Sequence, residues 1–187
     1  DEIVPGVTGF AVPGYEAKVI DPDTGEECDR GEAGLLAVRG PTGITYWNRP
    51  EKQAEAVRDG WSLPGDIYVQ REDGRFEYKS RRDDLIVSSG YNIPGPEVEA
   101  VVEEIEEVSE VAVVGAPDEE RGQIVKAFVV LTEGTEGSQD LVEKIQTHVK
   151  NTLAPYKYPR EVEFVKELPR TETGKIQRVK LREREQE

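Results

Sequence analysis

The sequence predicts an α+β chain in two parts, a β-rich first part followed by a smaller part that mixes strands and helices. Three observations carry this. Residues 1–79 are short strand-like runs of β-branched and aromatic residues broken by Pro, Asp and Gly turns. Beyond about residue 84 the apolar residues switch to an alternation of strand runs and helical spacing. A short charged junction, "SRRDD" at residues 80–84, separates the two patterns without a long linker, and such a junction suits a hinge.

In the first part, "EAKVID" (16–21) reads as a strand followed by the turn "PDTGEE". "GLLAVRG" (34–40) is an apolar strand between glycines, and "RPEKQAEAV" (49–57) a short helix with Pro50 near its start. "GDIYVQREDGRFEYKS" (65–80) is a hairpin whose Asp73-Gly74 suits a turn needing positive φ. Together these predict a small barrel or sheet. Trp47 and Trp61 read as packing residues.

In the second part, "DLIVSS" (84–89) is a strand. "PGPEVEAVVEEIEEV" (94–108) is an amphipathic helix, with Val98, Val101, Val102, Ile105 and Val108 at helical spacing. "EVAVVGAP" (110–117) and "IVKAFVVL" (124–131) are strands. "SQDLVEKIQTHVKNTL" (138–153) is a helix with Ser138 and Asp140 as candidate caps. "PREVEFVKEL" (159–168) is a last strand, and a C-terminal helix follows. There is no internal repeat.

Composition narrows the function classes. The chain of 187 residues carries 39 acidic against 24 basic residues, a net charge of −15. Nucleic acid and anionic membrane both call for basic surfaces, so neither is an expected partner. The acids are spread along the chain, a solvated coat of the kind expected of a halophilic protein. Cys28 is the one cysteine and His148 the one histidine. No internal disulfide, cysteine zinc site or histidine cluster can be built, and no metal site is expected. His148 falls in a helical pattern and reads as a surface or half-buried residue. No stretch approaches about 18 apolar residues and no signal peptide opens the chain, so a reducing cytoplasm is the expected home. The start, "DEIVPGVTGF", has no Met and reads as the middle of a longer protein.

"PRTETGKIQR" (169–178) places Lys175 after a Thr/Gly turn. It is not a P-loop. The first glycine of that motif would fall at Pro169, and Ile176 stands where a Ser or Thr would hold Mg²⁺. Taken alone, the stretch is a solvated turn presenting one cation.

Other stretches change its weight. "YWNRPEKQAEAVRDGW", then "LPGDIYVQREDGRFEYKSRRDDLIVSSGYNIPGPEVE", then "APYKYPREVEFVKELPRTETGKIQRVKLRE" follow in order. From Gly31 to the end, the chain resembles the carboxyl-terminal part of the AMP-forming acyl-CoA synthetases, within the adenylate-forming enzymes. "RGPTGITYWN", "IVSSGYNIPGPEVE" and "APYKYPREVEFV" are most similar to aryl-CoA ligases of the 2-aminobenzoate-CoA ligase type. The resemblance implies a two-step reaction. A carboxylate attacks the α-phosphorus of ATP to give acyl-AMP and pyrophosphate, and the thiol of CoA then displaces AMP. It implies ATP with Mg²⁺ held mainly outside this piece, coenzyme A, and a small carboxylic acid. Residues 1–82 would be the β-rich end of a large adenylation domain, part of its β-barrel subdomain. Residues 83–187 would be a small mobile domain with a short, mostly antiparallel sheet and about three helices. Any oligomer would form through the large domain.

The resemblance also assigns residues. Lys175 matches the lysine that meets the α-phosphate and the attacking carboxylate. Asp66 matches the aspartate on the ribose hydroxyls, and Arg81 an arginine on ribose or phosphate. Asp83 matches the hinge, Gly90 the glycine lining the tunnel for the pantetheine arm of CoA, and Tyr91 stands beside it. Pro64 stands where Thr or Ser is usual, Ser80 where Gly is usual, and Asn92 where Arg is frequent. "YKYPR" (156–160) offers a cation toward the CoA phosphates or is a plain loop. Without the resemblance, Asp66 is a residue opening a hairpin, Arg81 a solvated charge and Gly90 a strand-end turn glycine. Two other readings stay open: adenylation with transfer to a carrier protein, for which no basic or apolar docking patch shows, and a binding module without activity.

The acidic coat generates a first prediction. The melting temperature rises from low toward molar salt as like-charge repulsion is screened. A flat or falling curve in scanning calorimetry removes the halophile inference.

Overall fold

β-Branched and aromatic runs closed by turn formers fold into the strands that their pattern predicts. The computed structural model describes residues 3–4 and 6–186. Asp1, Glu2 and Pro5, in the stretch read as the middle of a longer protein, and Glu187 lie outside the described residues. The chain divides into two compact units between Asp83 and Asp84, one residue beyond the junction placed at 82/83.

The first unit holds β1 (Val7–Gly9), β2 (Glu16–Ile20), β3 (Ala33–Arg39), α1 (Pro50–Ala56), β4 (Val57–Arg58), β5 (Trp61–Ser62), β6 (Asp66–Gln70) and β7 (Phe76–Arg81). Its strands form one sheet in the order β1-β7-β6-β3-β5-β4, with β2 also paired to β3, and every pairing is antiparallel. β3 is the hub, sharing one edge between β6 and β5. Ile20, Leu35, Ala37, Leu63 and Ile67 make the core, and Trp61 packs against it. The Trp61 ring also lies between the Lys18 ammonium at 4.7 Å and the Arg39 guanidinium at 4.6 Å. Trp47 does not pack: it is 88% exposed, because it lies in the irregular stretch before α1 and no strand covers it.

The second unit holds β8 (Leu85–Ser88), β9 (Tyr91–Pro94), α2 (Gly95–Val102), β10 (Val108–Asp118), β11 (Gly122–Leu131), α3 (Gln139–Thr152), β12 (Glu161–Phe164) and α4 (Arg178–Arg184). Single 3₁₀ turns lie at Arg82–Asp84 and Pro155–Lys157. β8 and β9 are an antiparallel hairpin; the apolar pattern shows only its first strand. α2 stops at Val102, short of the predicted Val108. Glu103, Glu104, Glu106 and Glu107 crowd carboxylates onto its C-terminal end, which the helix dipole disfavours. The chain tightens into 3₁₀-type bonds there, Glu104 N–H to Val101 C=O and Ile105 N–H to Val102 C=O. Ile105 and Val108 are buried all the same, one from a turn and the other from the start of β10.

β10 and β11 pair antiparallel, and β12 joins β11 in parallel after α3. Both faces of this sheet are covered. Val111, Val113, Val125, Ala127 and Val129 face α2 and α3. Ala112, Val114 and Phe128 face Leu168 and Leu181. Burial on both faces explains the unbroken apolar runs. In α3, Leu141, Ile145 and Val149 repeat every four residues and are buried, and Ser138 caps it by accepting from Leu141 N–H at 3.2 Å. His148 lies on its outer side, within hydrogen-bond distance of Glu104.

Lys126 interrupts the apolar run of β11. Its ammonium meets Glu185 at 2.6 Å, with Glu161 and Glu163 each at 3.4 Å. Burial works against its charge, but the Glu185 carboxylate and its neighbours outweigh that, and Lys126 holds its proton more tightly than an ordinary lysine. Among the described residues no helix is long and apolar enough to cross a membrane, and no three His, Cys, Asp or Glu side chains gather to hold a metal ion.

Phe128 is fully buried between the sheet and the C-terminal segment. Phe128→Ala is expected to lower the unfolding free energy by about 3–5 kcal/mol, read as a shift of the urea midpoint at unchanged slope. A loss below about 1 kcal/mol contradicts this packing.

Candidate active site

The first cluster sits at the open end of the β6–β7 hairpin. Asp66 begins β6, Arg81 ends β7, and the two are register partners. Arg81 Nη1 donates to Asp66 Oδ1 at 2.8 Å. A further backbone bond closes the hairpin end, from Arg82 N–H to Gly65 C=O at 2.8 Å. Arg81 also lies over Gly65, where an added Cβ would stand 3.3 Å from Nη2. One Asp66 oxygen is thus engaged, and Oδ2 accepts from no described residue. The Asp66 side chain is 23% exposed and that of Arg81 47%. The hairpin end therefore presents a carboxylate with a vacant acceptor beside a planar cation. Ser80 is fully buried and its hydroxyl has no described partner.

Asp83 is exposed in the 3₁₀ turn that follows. Its neighbour Asp84 accepts from Arg182 Nη1 at 2.7 Å.

The second cluster is the β8–β9 turn. Ser89 and Gly90 both have positive φ, 49° and 82°, the type I′ turn whose twist fits a two-residue hairpin. Arg121 Nη1 donates to Ser89 Oγ at 3.0 Å, and Ser89 N–H donates to the Arg121 carbonyl at 3.0 Å. A Cβ on Gly90 would meet nothing within 4 Å, so glycine is suited here by its backbone angle and by open space above it. Tyr91 is 51% exposed and stacks on Tyr156, with ring centroids 4.2 Å apart and planes 16° apart.

The third cluster is the turn that carries Lys175. Gly174 N–H donates to Thr171 C=O at 2.9 Å, and Thr171 N–H to Lys175 C=O at 2.8 Å. With Gly174 at φ +84° this is a type I turn closed by a left-handed glycine. The Thr171 hydroxyl adds bonds to the Lys175 N–H and to Thr173. The turn is therefore fixed by its own backbone and is not slack. Lys175 is exposed, and its ammonium forms no ion pair with a described residue. Asp66 and Arg81 come together. Lys175 is joined to neither Gly90 nor Tyr91 by a hydrogen bond.

Sequence patterns passed over several groups that hold these turns. Tyr156 lies in the "APYKYPR" loop, and nothing local announces its stack on Tyr91. Arg170 bonds the Gly174 carbonyl and Glu110, each at 2.6 Å. Glu99 and Arg178 pair across 79 residues. Glu99 did leave a signal, a charged residue at an apolar-stripe position of α2, one turn after Gly95 and beside Val98.

Comparison with known proteins places the chain. Residues 97–175, all within the second unit, match the AMP-binding enzyme C-terminal domain. It is 46% identical over 188 residues to an uncharacterized acyl–CoA ligase, YtcI of Bacillus subtilis, covering 99% of this chain and 35% of that protein. It is 45% identical over 178 residues to benzoate–CoA ligase of Thauera aromatica, covering 95% of this chain and 34% of the relative. Among solved structures it is similar to the anthranilate CoA ligase AuaEII in complex with anthranoyl-AMP. The TM-score is 0.87, at 38% identity over 98% of this chain and 36% of that one. The chain thus spans about a third of the length of the relatives that it matches.

Proposed function

We propose that the chain is the carboxyl-terminal part of an AMP-forming carboxylic acid–CoA ligase, an acid–thiol ligase acting on an aryl acid such as 2-aminobenzoate or benzoate. The observation that carries the reading is Lys175, an exposed cation on a backbone-fixed turn that pairs with no carboxylate of the described residues, in a chain of net charge −15. The similarity to a benzoate–CoA ligase and an anthranilate CoA ligase supports the substrate class.

In the first half-reaction a carboxylate oxygen of the acid attacks the α-phosphorus of ATP. The bond to the bridging oxygen breaks, and pyrophosphate leaves with its electron pair. Negative charge gathers on the α-phosphoryl oxygens, and the Lys175 ammonium neutralises it, an electrostatic role that needs no proton transfer. Asp66 accepts the ribose hydroxyls through its vacant oxygen, while Arg81 holds the carboxylate in place and faces ribose or phosphate. In the second half-reaction the CoA sulfur attacks the acyl carbon, the thiol proton is lost, and AMP departs. The open space above Gly90 admits the pantetheine arm, and Tyr91, braced by Tyr156, flanks it. Asp83 serves as the hinge. Mg²⁺ sits outside this part of the protein, which alone is inactive, and the full-length ligase works in the cytoplasm.

In the full-length protein, Lys175→Ala is expected to lower pyrophosphate exchange by about 10²–10³-fold and to spare thioester formation from supplied acyl-AMP. Equal loss of both half-reactions removes the assigned role. Gly90→Leu is expected to do the reverse, since a long side chain fills the space a hydrogen leaves; the left-handed backbone adds about 1–2 kcal/mol of strain, which Gly90→Ala shares. Thioester turnover of Gly90→Leu equal to that of Gly90→Ala refutes the tunnel. AMP release across a panel of carboxylic acids names the substrate.

A further inference from the structure

Lys175 stands three positions ahead of α4, and α4 is a weak anchor by itself. It has seven residues, of which only Leu181 is buried. Isolated helices shorter than about 12 residues are marginal in water, and a single leucine seats a helix without fixing how it slides or turns. Ile176, next to Lys175, packs on the same apolar cluster as Leu181, which sets depth, while the angle of the segment calls for a directional contact.

A buried carboxylate supplies the direction. Arg178 Nε donates to Glu99 Oε1 at 3.0 Å and Arg178 Nη2 to Glu99 Oε2 at 2.6 Å. Glu99 Oε1 also accepts the Val113 N–H at 2.8 Å. The side chains are 20% and 10% exposed. One carboxylate therefore joins α2, β10 and the segment that carries Lys175. Planar fork meets planar carboxylate, so the pair sets angle as well as distance. The partner contact on the other flank, Arg170 with Glu110, is open to solvent at 39% and 41% and is correspondingly screened.

We propose that Glu99 and Arg178 are positioning residues for Lys175, holding its ammonium at the height above the sheet that adenylation needs. The proposal rests on the reading of Lys175 given above. A fold-only role is the competing explanation. Well-packed apolar residues often serve stability as well as a buried ion pair or better, whereas only the pair fixes an orientation. The two explanations also separate by experiment, because a positioning pair acts on one half-reaction and only through Lys175.

The test uses the full-length enzyme with Glu99→Gln and Arg178→Lys, each alone and combined with Lys175→Ala. Glu99→Gln keeps shape and the acceptor for Val113 N–H but removes the charge. It is expected to lower kcat for pyrophosphate exchange about 100-fold. KM for ATP and thioester formation from supplied acyl-AMP stay within about two-fold. Arg178→Lys keeps the charge without the fork and falls between Glu99→Gln and the unmodified enzyme. In the Lys175→Ala background neither change lowers exchange further, the non-additivity of residues that act as one unit. Parallel loss of both half-reactions, or further loss in the Lys175→Ala background, overturns the proposal in favour of a fold-only role. Unchanged exchange in Glu99→Gln, beside a large loss in Lys175→Ala, overturns it while leaving the function of Lys175 intact. If Lys175→Ala itself spares exchange, the underlying reading fails, and the proposal with it.

Discussion

Glu99 occupies a position in α2 that helical spacing assigns to the core, and the residue as a whole is 8% exposed. Taking a carboxylate and a guanidinium out of water costs several kcal/mol per ion. That cost is offset here by two charge-assisted bonds from Arg178 and one from the Val113 N–H. Such a site is unforgiving: either ion without the other is a buried, unpaired charge. The result is a common reference point for α2, β10 and the C-terminal segment, elements far apart along the chain. Other ion pairs add to it at the rim of α4, Arg182 with Asp84 and Arg184 with Glu163. The helix is thus docked by charge around one apolar residue, and the turn ahead of it inherits that geometry.

The chemistry-bearing groups share a second feature. They stand on tight turns or hairpin ends whose backbone is closed by its own hydrogen bonds. The turn of Thr171, Gly174 and Lys175 repeats the pattern at Arg71, Gly74 and Arg75, with the same bond from the glycine N–H and the same left-handed glycine. Asp66 and Arg81 occupy the other end of the hairpin that the 71–75 turn closes. A short turn on a packed sheet leaves the side chain exposed but its Cα fixed. That combination suits groups that must meet a ligand without a large entropic cost on binding.

The acid excess gives these cations their setting. Carboxylates are plentiful, and several cations of the second unit are engaged, among them Lys126 by Glu185, Lys144 by Glu107 and Lys157 by Glu97. The Glu107 carboxyl is held below the ordinary glutamate range by its bond from Lys144. Lys175, which forms no ion pair with a described residue and stands on a turn fixed by threonine and glycine, keeps its charge available to an anionic ligand.

The sequence by itself determined the two-part organisation, α3 with its Ser138 cap, the β6–β7 hairpin and the family resemblance, because each is written in spacing or in contiguous motifs. It also marked Lys175, Asp66, Arg81 and Gly90 as candidates. It could not show where α2 ends, since apolar spacing continues through Ile105 and Val108 after the helix has stopped. Nor could it show that β9 pairs with β8, that Trp47 lies bare, or that Tyr156 stacks on Tyr91. The tertiary structure alone decided the Asp66–Arg81 pair, the Lys126 cluster and the Glu99–Arg178 fork. Those are pairings across 15 to 79 residues, settled when strands and helices close around a shared core, and no local period in a chain records them.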